Sequence, residues 1–279
     1  MSGPVRLDDT SLWVHERGSG YPIIVLHAGP GLDHHAFGAY LDPLAERFRL
    51  LLVDQRGQGR SDPVELETFT LPRLAQDVIM LARALELERF AVLGHSFGAF
   101  VALQHAVDYP GMASQIILSG GVPSGRFFRV VERNLAELEP REARLLVQAA
   151  MAREEPRPPS AFAAFVADVM PFQFADPVDP RIDEYLKATG ETIYTPDVYR
   201  HSRTMDPIEV EDQLGEVAAP VLAIVGRFDR SCIYAASKAI VDGVTDGELA
   251  LFDHSGHVPF AEEPQRFRAE VSGFLERHP

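Results

Sequence analysis

The sequence has little cysteine, no long apolar run and a shortage of positive charge. Cys232 is the single cysteine among 279 residues, which excludes an internal disulfide and a metal cluster held by several cysteines. No stretch approaches the roughly 20 apolar residues of a transmembrane helix. The chain has 26 basic and 41 acidic residues, which give a formal net charge of -15. This charge argues against nucleic acid and membrane surfaces as partners.

Residues 1–9 also lack the basic start and the apolar core of a secretory signal. We therefore expect a cytoplasmic protein. Hydrophobic residues make up 46% of the chain, enough for a packed core. The length is that of one large domain, or of one domain that carries an insertion. The oligomeric state stays open.

Short apolar runs alternate with helical patterns along most of the chain. Between residues 71 and 85, apolar side chains recur at helical spacing, which predicts an amphipathic crossover helix. Such alternation is typical of an α/β fold, in which helices flank a mostly parallel sheet. The predicted strands are 23–26, 50–53, 90–93, 116–118, 221–225 and 249–252.

The alternation fails between residues 121 and 205. Helical patterns such as 134–151 dominate there, next to a proline-rich stretch at 154–159. This predicts a mostly helical cap insertion at 121–205 in a larger α/β domain formed by 1–120 and 206–279. We expect the insertion to lie over the crevice of that larger domain and some of its aromatic side chains to line an apolar pocket. The candidates are Phe127, Phe128, Phe162, Phe165, Phe172 and Phe174.

A G-H-S-F-G motif at 94–98 follows one predicted strand and precedes a helical pattern. A serine in such a turn has a strained backbone, and the flanking glycines let helix and strand approach closely. An ordinary strand-to-helix turn is the alternative interpretation, which the flanking elements disfavour. The motif predicts Ser96 as a nucleophile.

A serine nucleophile needs an imidazole base, and the base needs a carboxylate that orients it. With this kind of elbow the chain order is serine, acid, histidine. Asp229 follows the strand at 221–225 and is the predicted acid. His257 and His254 both follow the last strand. We favour His257 as the base, because a longer loop lets its ring reach back to the serine.

An oxyanion hole requires two backbone N–H groups near the serine. Phe97, directly after the nucleophile, supplies the first. The H-A-G-P-G loop at 27–31 follows the first predicted strand, and we assign the second donor to the N–H of Gly29. A plain Gly-Pro turn is the alternative.

Other polar clusters are interpreted as structural. The D-Q-R-G-Q-G-R-S-D segment at 54–62 lacks the spacing of a phosphate-binding loop, so we predict a turn rich in hydrogen bonds. His15, His34 and His35 show no metal-ligand spacing, and solvated loop positions are expected for them. We therefore expect neither a metal nor an organic cofactor.

Together, five motifs resemble the proline iminopeptidase branch of the α/β hydrolases, peptidases that remove N-terminal residues, especially proline. They are H-A-G-P-G at 27–31, D-Q-R-G-Q-G-R-S at 54–61, G-H-S-F-G at 94–98, G-R-F-D at 226–229 and S-G-H at 255–257. The resemblance implies an α/β-hydrolase fold, the serine, aspartate and histidine named above, and a short-peptide substrate.

Two departures bear on the substrate. Ala28 stands where the family loop has its first glycine. The glutamates by which the family's cap receives the substrate amine have no clear match, and the corresponding stretch, 199–205, is basic. Candidates to replace those glutamates are Glu154, Glu155, Glu184 and Glu191.

Three functions follow from these residues. The first is a serine hydrolase that cleaves small amides or esters through an acyl-enzyme, with an aminopeptidase activity like that of proline iminopeptidases. The second is a carboxylesterase or other small-acyl hydrolase with the same triad. The third is a ligand-binding homologue without turnover. In each case a small molecule or a short peptide is the expected partner.

Overall fold

The computed structural model describes residues 2–152 and 158–279. Its centre is an eight-stranded sheet with the order β1-β2-β4-β3-β5-β6-β7-β8. Strands β3 to β8 are parallel, whereas β2 is antiparallel to both of its neighbours. The strands are β1 Ser2–Arg6, β2 Ser11–Arg17, β3 Tyr21–Leu26, β4 Phe48–Asp54, β5 Ala91–His95, β6 Gln115–Ser119, β7 Val221–Gly226 and β8 Gly247–Phe252. The predicted α/β architecture is confirmed.

The parallel strands β3 to β7 are buried along nearly their whole length because both faces of the sheet are covered there. In β3, Ile24 and Leu26 belong to one core cluster, while Ile23 and Val25 belong to the cluster on the opposite face. Successive side chains of a strand point to opposite faces, so an unbroken apolar run supplies both cores. All six predicted strands are found, with small shifts at their ends.

The N-terminal hairpin of β1 and β2 is absent from the sequence prediction. In β2, buried Leu12 and Val14 alternate with more exposed neighbours, which is the pattern of a strand covered on one face. In β1 the exposed and half-buried positions alternate without a fully buried residue. This hairpin extends the sheet beyond β4 and forms the edge opposite to β8.

The predicted crossover helix is confirmed as α1, with Thr70 as its N-cap: the Thr70 side chain accepts the Arg73 N–H. The helices are α1 Leu71–Ala84, α2 Phe97–Asp108, α3 Val131–Ala136, α4 Arg141–Met151, α5 Pro159–Gln173, α6 Arg181–Ala188, α7 Pro196–Ser202, α8 Tyr234–Gly243, α9 Pro259–Glu262 and α10 Pro264–Arg277. Within the described ranges, none of these helices has the length and hydrophobicity needed to cross a membrane.

We refer to residues 121–205 as the cap segment; its described part contains α3 to α7. The continuous helical pattern predicted over 134–151 is wrong, because two helices, α3 and α4, meet there around Pro140. Pro140 has no N–H to continue a helix, and it stands directly before the first turn of α4. Most of the proline-rich stretch lies outside the described residues.

Candidate active site

Ser96 occupies a sharp turn between the end of β5 and the start of α2. Its backbone angles, φ 53° and ψ -118°, lie in a region that side chains rarely adopt. The Ser96 N–H donates to the Ser119 carbonyl at 2.8 Å, and the Ser96 carbonyl accepts the Ala99 N–H at 2.8 Å. Neighbouring strand and helix therefore hold the strained residue at the carboxyl end of a central strand.

The two glycines of the motif are required by close backbone packing. A Cβ on Gly94 would lie 2.1 Å from the Gly98 carbonyl oxygen. A Cβ on Gly98 would lie 2.2 Å from the carbonyl oxygen of Leu26 in β3. Any side chain at either position would force α2 away from the sheet, and the serine would move with it.

Asp229 and His257 meet in the loops that follow β7 and β8. The Nδ1 atom of His257 lies 2.7 Å from Oδ2 of Asp229. The other Asp229 oxygen accepts the N–H groups of Ser231 and Cys232 at 2.9 and 2.8 Å. The Asp229 side chain is 1% exposed and that of His257 8%. The carboxylate is thus fixed by its own loop and is directed at the imidazole.

His254, the alternative base, lies elsewhere. It is exposed, and its backbone N–H donates to Oε2 of Glu263 at 3.1 Å. The space around the His257 ring is instead shaped by Gly120, which follows β6. A Cβ on Gly120 would lie 2.9 Å from Cε1 of His257, so this position must be glycine for the ring to occupy its place.

Ser96 and His257 line one cavity of about 180 Å³ together with residues of the loop at 27–31. Cap-segment side chains form most of the remaining wall. They are Phe162, Phe165, Val166, Val169, Met170, Gln173, Tyr185 and Tyr199. The lining is mainly apolar, as expected for a small-molecule site with a few polar groups at the reacting centre.

Two of the six phenylalanines proposed for a pocket lining, Phe162 and Phe165, do line this cavity. Phe172 and Phe174 are buried in core clusters instead. Phe128 lies in a separate groove of about 380 Å³ that shares Pro30 with the cavity. Of the six phenylalanines, the two that line the cavity with Ser96 both lie on α5, and Tyr185 of α6 and Tyr199 of α7 add further aromatic side chains to its wall.

The loop with the predicted oxyanion donor is fixed from both sides. The Gly31 N–H donates to Oε1 of Gln58 at 2.6 Å, and the Gly31 carbonyl accepts the Thr195 N–H of the cap segment at 2.8 Å. Oε1 is the only Gln58 side-chain atom with a partner among the described residues, because its Nε2 is buried without one. Gly29 lines the cavity, and Phe97 begins α2 directly after Ser96.

Gln58 belongs to the segment predicted as a hydrogen-bonded turn, and that prediction is confirmed. Arg56 in this turn is buried and bonds both oxygens of Asp77 at 2.7 Å. Asp54 accepts the backbone N–H groups of His34 and Arg60 at 3.0 and 2.9 Å. The turn thereby connects the sheet to the residues that follow the loop at 27–31.

The expectation of solvated loop positions for the three histidines is wrong. His15 lies in β2, and His34 is 3% exposed, with its Nδ1 2.5 Å from Asp54. Asp33, His34 and His35 also bring ligand atoms within 4.8 Å of one another, close enough to hold a metal ion. However, Nδ1 of His35 lies 2.8 Å from Asp33. These side chains are thus partners of each other in stabilising the loop.

Two residues of this region were not singled out in the sequence. Gln58 is hidden in a glycine-rich turn whose contacts become visible only in three dimensions. Glu262 follows the histidine loop, and nothing in the local sequence distinguishes it from the adjacent Glu263. Its carboxylate accepts the N–H of Gly256, the residue before His257, at 2.7 Å.

The curated relatives of this sequence support the resemblance seen in its motifs. A proline iminopeptidase from Heyndrickxia coagulans is 27% identical over 274 residues, which are 93% of this chain and 92% of the relative. The chain is thus similar to proline iminopeptidases over nearly its whole length.

Solved structures agree in fold. A proline iminopeptidase from Mycobacterium smegmatis matches with a TM-score of 0.78 at 23% identity, covering 100% of this chain and 98% of its own. An esterase from Exiguobacterium antarcticum matches with a TM-score of 0.77 at 20% identity, covering 99% and 100%. At such identities the likeness shows the fold alone. The model of the alpha/beta hydrolase family matches residues 23–270, and the chain therefore belongs to that family.

Proposed function

We propose that the chain is a serine hydrolase in which Ser96 is the nucleophile, His257 the general base and Asp229 the group that orients the imidazole. The contact of 2.7 Å between Asp229 and His257, at a cavity that also contains Ser96, carries this proposal. A carboxylate only accepts hydrogen bonds, so Nδ1 of the ring holds the proton. Nε2 is then free to accept the proton of the serine.

The reaction proceeds through an acyl-enzyme. Ser96 Oγ attacks the substrate carbonyl carbon and passes its proton to His257, which delivers that proton to the leaving group as the bond to it breaks. Water then attacks the acyl-enzyme, with the same nitrogen as base, and Ser96 is released. In this proposal the N–H groups of Gly29 and Phe97 stabilise the oxyanion in both steps.

His95 lies beside the base without competing for the proton. Its ring centroid is 4.9 Å from that of His257. Burial holds the pKa of His95 well below its usual range, and the positive charge that His257 acquires lowers it further. His95 therefore stays neutral during catalysis and the proton remains on His257.

The cavity wall favours a substrate with an apolar acyl group and without a free amine. No aspartate or glutamate is among the described residues that line it. A substrate ammonium would leave water for an apolar wall without an anionic partner, which is costly. Small carboxylic esters, or amides of comparable acyl groups, avoid this cost. Hydrolysis of such substrates is the function that the geometry supports best.

Aminopeptidase activity is the second candidate. It is favoured by the relatives named as proline iminopeptidases, which match 93% and 94% of the chain. Of the four glutamates considered as amine partners, Glu184 and Glu191 are exposed, and Glu191 is 89% exposed at its side chain. Glu154 and Glu155 lie outside the described residues. Of these four glutamates, the last two stay candidates for an amine partner.

A matched substrate pair separates the two candidates. We expect short-chain nitrophenyl esters to be cleaved with a burst, and N-acetylation of an aminoacyl arylamide to leave kcat/KM unchanged or higher. A site that pairs the amine would instead lose about 10⁴-fold on acetylation. That loss would reject the esterase proposal. If acetylation no longer lowered kcat/KM in a Glu154→Gln/Glu155→Gln variant, the partner of the substrate amine would lie in this pair. The absence of both a burst and steady turnover with every ester and arylamide would reject the hydrolase proposal itself.

A further inference from the structure

The chain that follows α5 packs directly against the histidine loop. We call residues 173–175 the cap joint. The Gln173 carbonyl accepts the His257 N–H at 2.6 Å. A Cβ on Gly256 would lie 2.3 Å from the Gln173 carbonyl oxygen and 2.7 Å from the Phe174 carbonyl carbon. The cap segment thus contacts the backbone of the proposed base, and Gly256 has to be glycine for that contact.

The cap joint also contacts the loop of the proposed acid. Arg230, the residue after Asp229, donates to the Phe174 carbonyl at 2.6 Å and to the Ala175 carbonyl at 3.0 Å. These two carbonyls and the Gln173 carbonyl are consecutive. One short piece of the cap segment therefore holds both loops that deliver acid and base to the cavity.

Glu262 completes this arrangement from the opposite side. One oxygen of its carboxylate accepts the Gly256 N–H at 2.7 Å, and the other accepts the Ala175 N–H at 2.8 Å. The side chain is almost fully buried, with 5% of the residue exposed. Burial raises the pKa of Glu262 to about 6. At pH 7.5 the group is therefore ionised and both oxygens are acceptors.

We propose, on the basis of the hydrolase function above, that Glu262 is a positioning residue for His257. It bridges the peptide before the histidine to the cap joint, and so fixes the imidazole against Asp229 and sets the cap segment on the site. Glu262 is not among the residues that line the cavity, so it acts on the reaction through His257 and not through substrate contact.

The bridge requires a carboxylate. An amide at this position presents one oxygen and one NH₂ group, so its NH₂ would face an N–H donor at Gly256 or at Ala175. Glu262→Gln therefore keeps the size of the side chain and breaks one side of the bridge. Glu263 offers a matched control: its Oε2 accepts the His254 N–H at 3.1 Å and the Ser255 hydroxyl at 2.6 Å, in the same loop.

The test compares E262Q with E263Q on the best ester substrate, with active sites counted by phosphonate titration. For E262Q we expect kcat per titrated site to fall about 10- to 100-fold while KM changes little, since a displaced base slows chemistry more than binding. E263Q should keep kcat within about threefold of the wild type. Wild-type kcat in E262Q, or equal losses in both variants, would overturn the proposal.

A second variant covers the case in which E262Q does not fold. Ala175→Pro removes the N–H on the cap side only, and Phe174 already has the extended backbone, ψ 153°, that precedes proline. We expect a smaller loss of kcat per site and unchanged KM; a kcat equal to that of wild type would again refute the bridge. If these variants behave like wild type while Ser96→Ala is inactive, the hydrolase proposal stands and only the role of Glu262 is lost.

Discussion

The two halves of the site are both closely packed, but they differ in how far side-chain hydrogen bonds hold them in place. The serine side, residues 94–98 with the loop at 27–31, is fixed largely by backbone atoms in contact: replacing Gly94 or Gly98 would bring a Cβ within 2.2 Å of a carbonyl oxygen. The acid–base side, residues 226–232 with 253–262, has the same kind of close backbone contact at Gly226 and Gly256, but it is also fixed by hydrogen bonds, many of them to Asp229 and Glu262. A glycine in close backbone contact tolerates almost no side chain, whereas the loss of one hydrogen bond weakens the arrangement only in part. One of these hydrogen bonds comes from the cap segment, from the N–H of Ala175.

The largest effect is expected from the serine itself. Ser96→Ala removes the nucleophile and should lower kcat by about 10⁴-fold or more, because the members of such a triad act as a unit. An organophosphonate should label Ser96 and no other serine, as mass spectrometry of the wild type can establish. Activity of the alanine variant within tenfold of wild type would show that Ser96 is not the nucleophile.

On the acid–base side the two histidines of one loop make a matched pair. His257→Ala should lower kcat by about 10⁴-fold, since nothing else in the proposal accepts the serine proton. His254→Ala should leave most of the activity, because that ring is exposed and only its backbone bonds Glu263. Steady-state kinetics on both variants decide the assignment, and the reverse order of losses would transfer the role of base to His254.

Gly120 offers a steric test within the hydrogen-bonded half. Gly120→Ala would place a methyl group 2.9 Å from His257 and should lower kcat about 100-fold. The φ of Gly120 is +66°, so part of any effect is backbone strain. Gly111→Ala measures that strain without a steric contact, because Gly111 has φ +75° and no atom within 4 Å of a Cβ. Both alanine variants should lose about 1 to 2 kcal/mol of unfolding free energy.

Thermal or denaturant unfolding supplies the stabilities and ester hydrolysis supplies the rates for this pair. Equal kcat values in Gly120→Ala and Gly111→Ala would mean that the His257 ring can move aside. The acid–base side would then be less constrained than its contacts indicate.

The same division explains what the sequence alone could predict. The elbow of Ser96 is a local device of five residues, and the strands beside it are apolar runs, so both are visible in the sequence. The contact of Asp229 with His257 could be proposed from chain order, because each follows a parallel strand. The hairpin of β1 and β2 was missed although the alternation of Leu12 and Val14 indicates a strand.

What stayed hidden depends on distant partners. The burial of His34 depends on Asp54, which lies on β4, and the role proposed for Glu262 depends on Ala175 in the cap segment. Neither neighbour is close in sequence, and a buried carboxylate looks like any surface glutamate until its N–H donors are located. The break between α3 and α4 at Pro140 could have been predicted from the sequence, because proline seldom continues a helix.

The sheet order has a consequence for biosynthesis. The elbow of Ser96 lies on β5 and packs against β3, whereas Asp229 and His257 follow β7 and β8, which come later in the chain. Among the described residues, β8 lies at the edge of the sheet and pairs with β7. A growing chain can therefore form its strained serine long before it acquires a base. In the proposed mechanism, hydrolysis therefore requires the long-range pairing of β7 and β8 with the earlier strands.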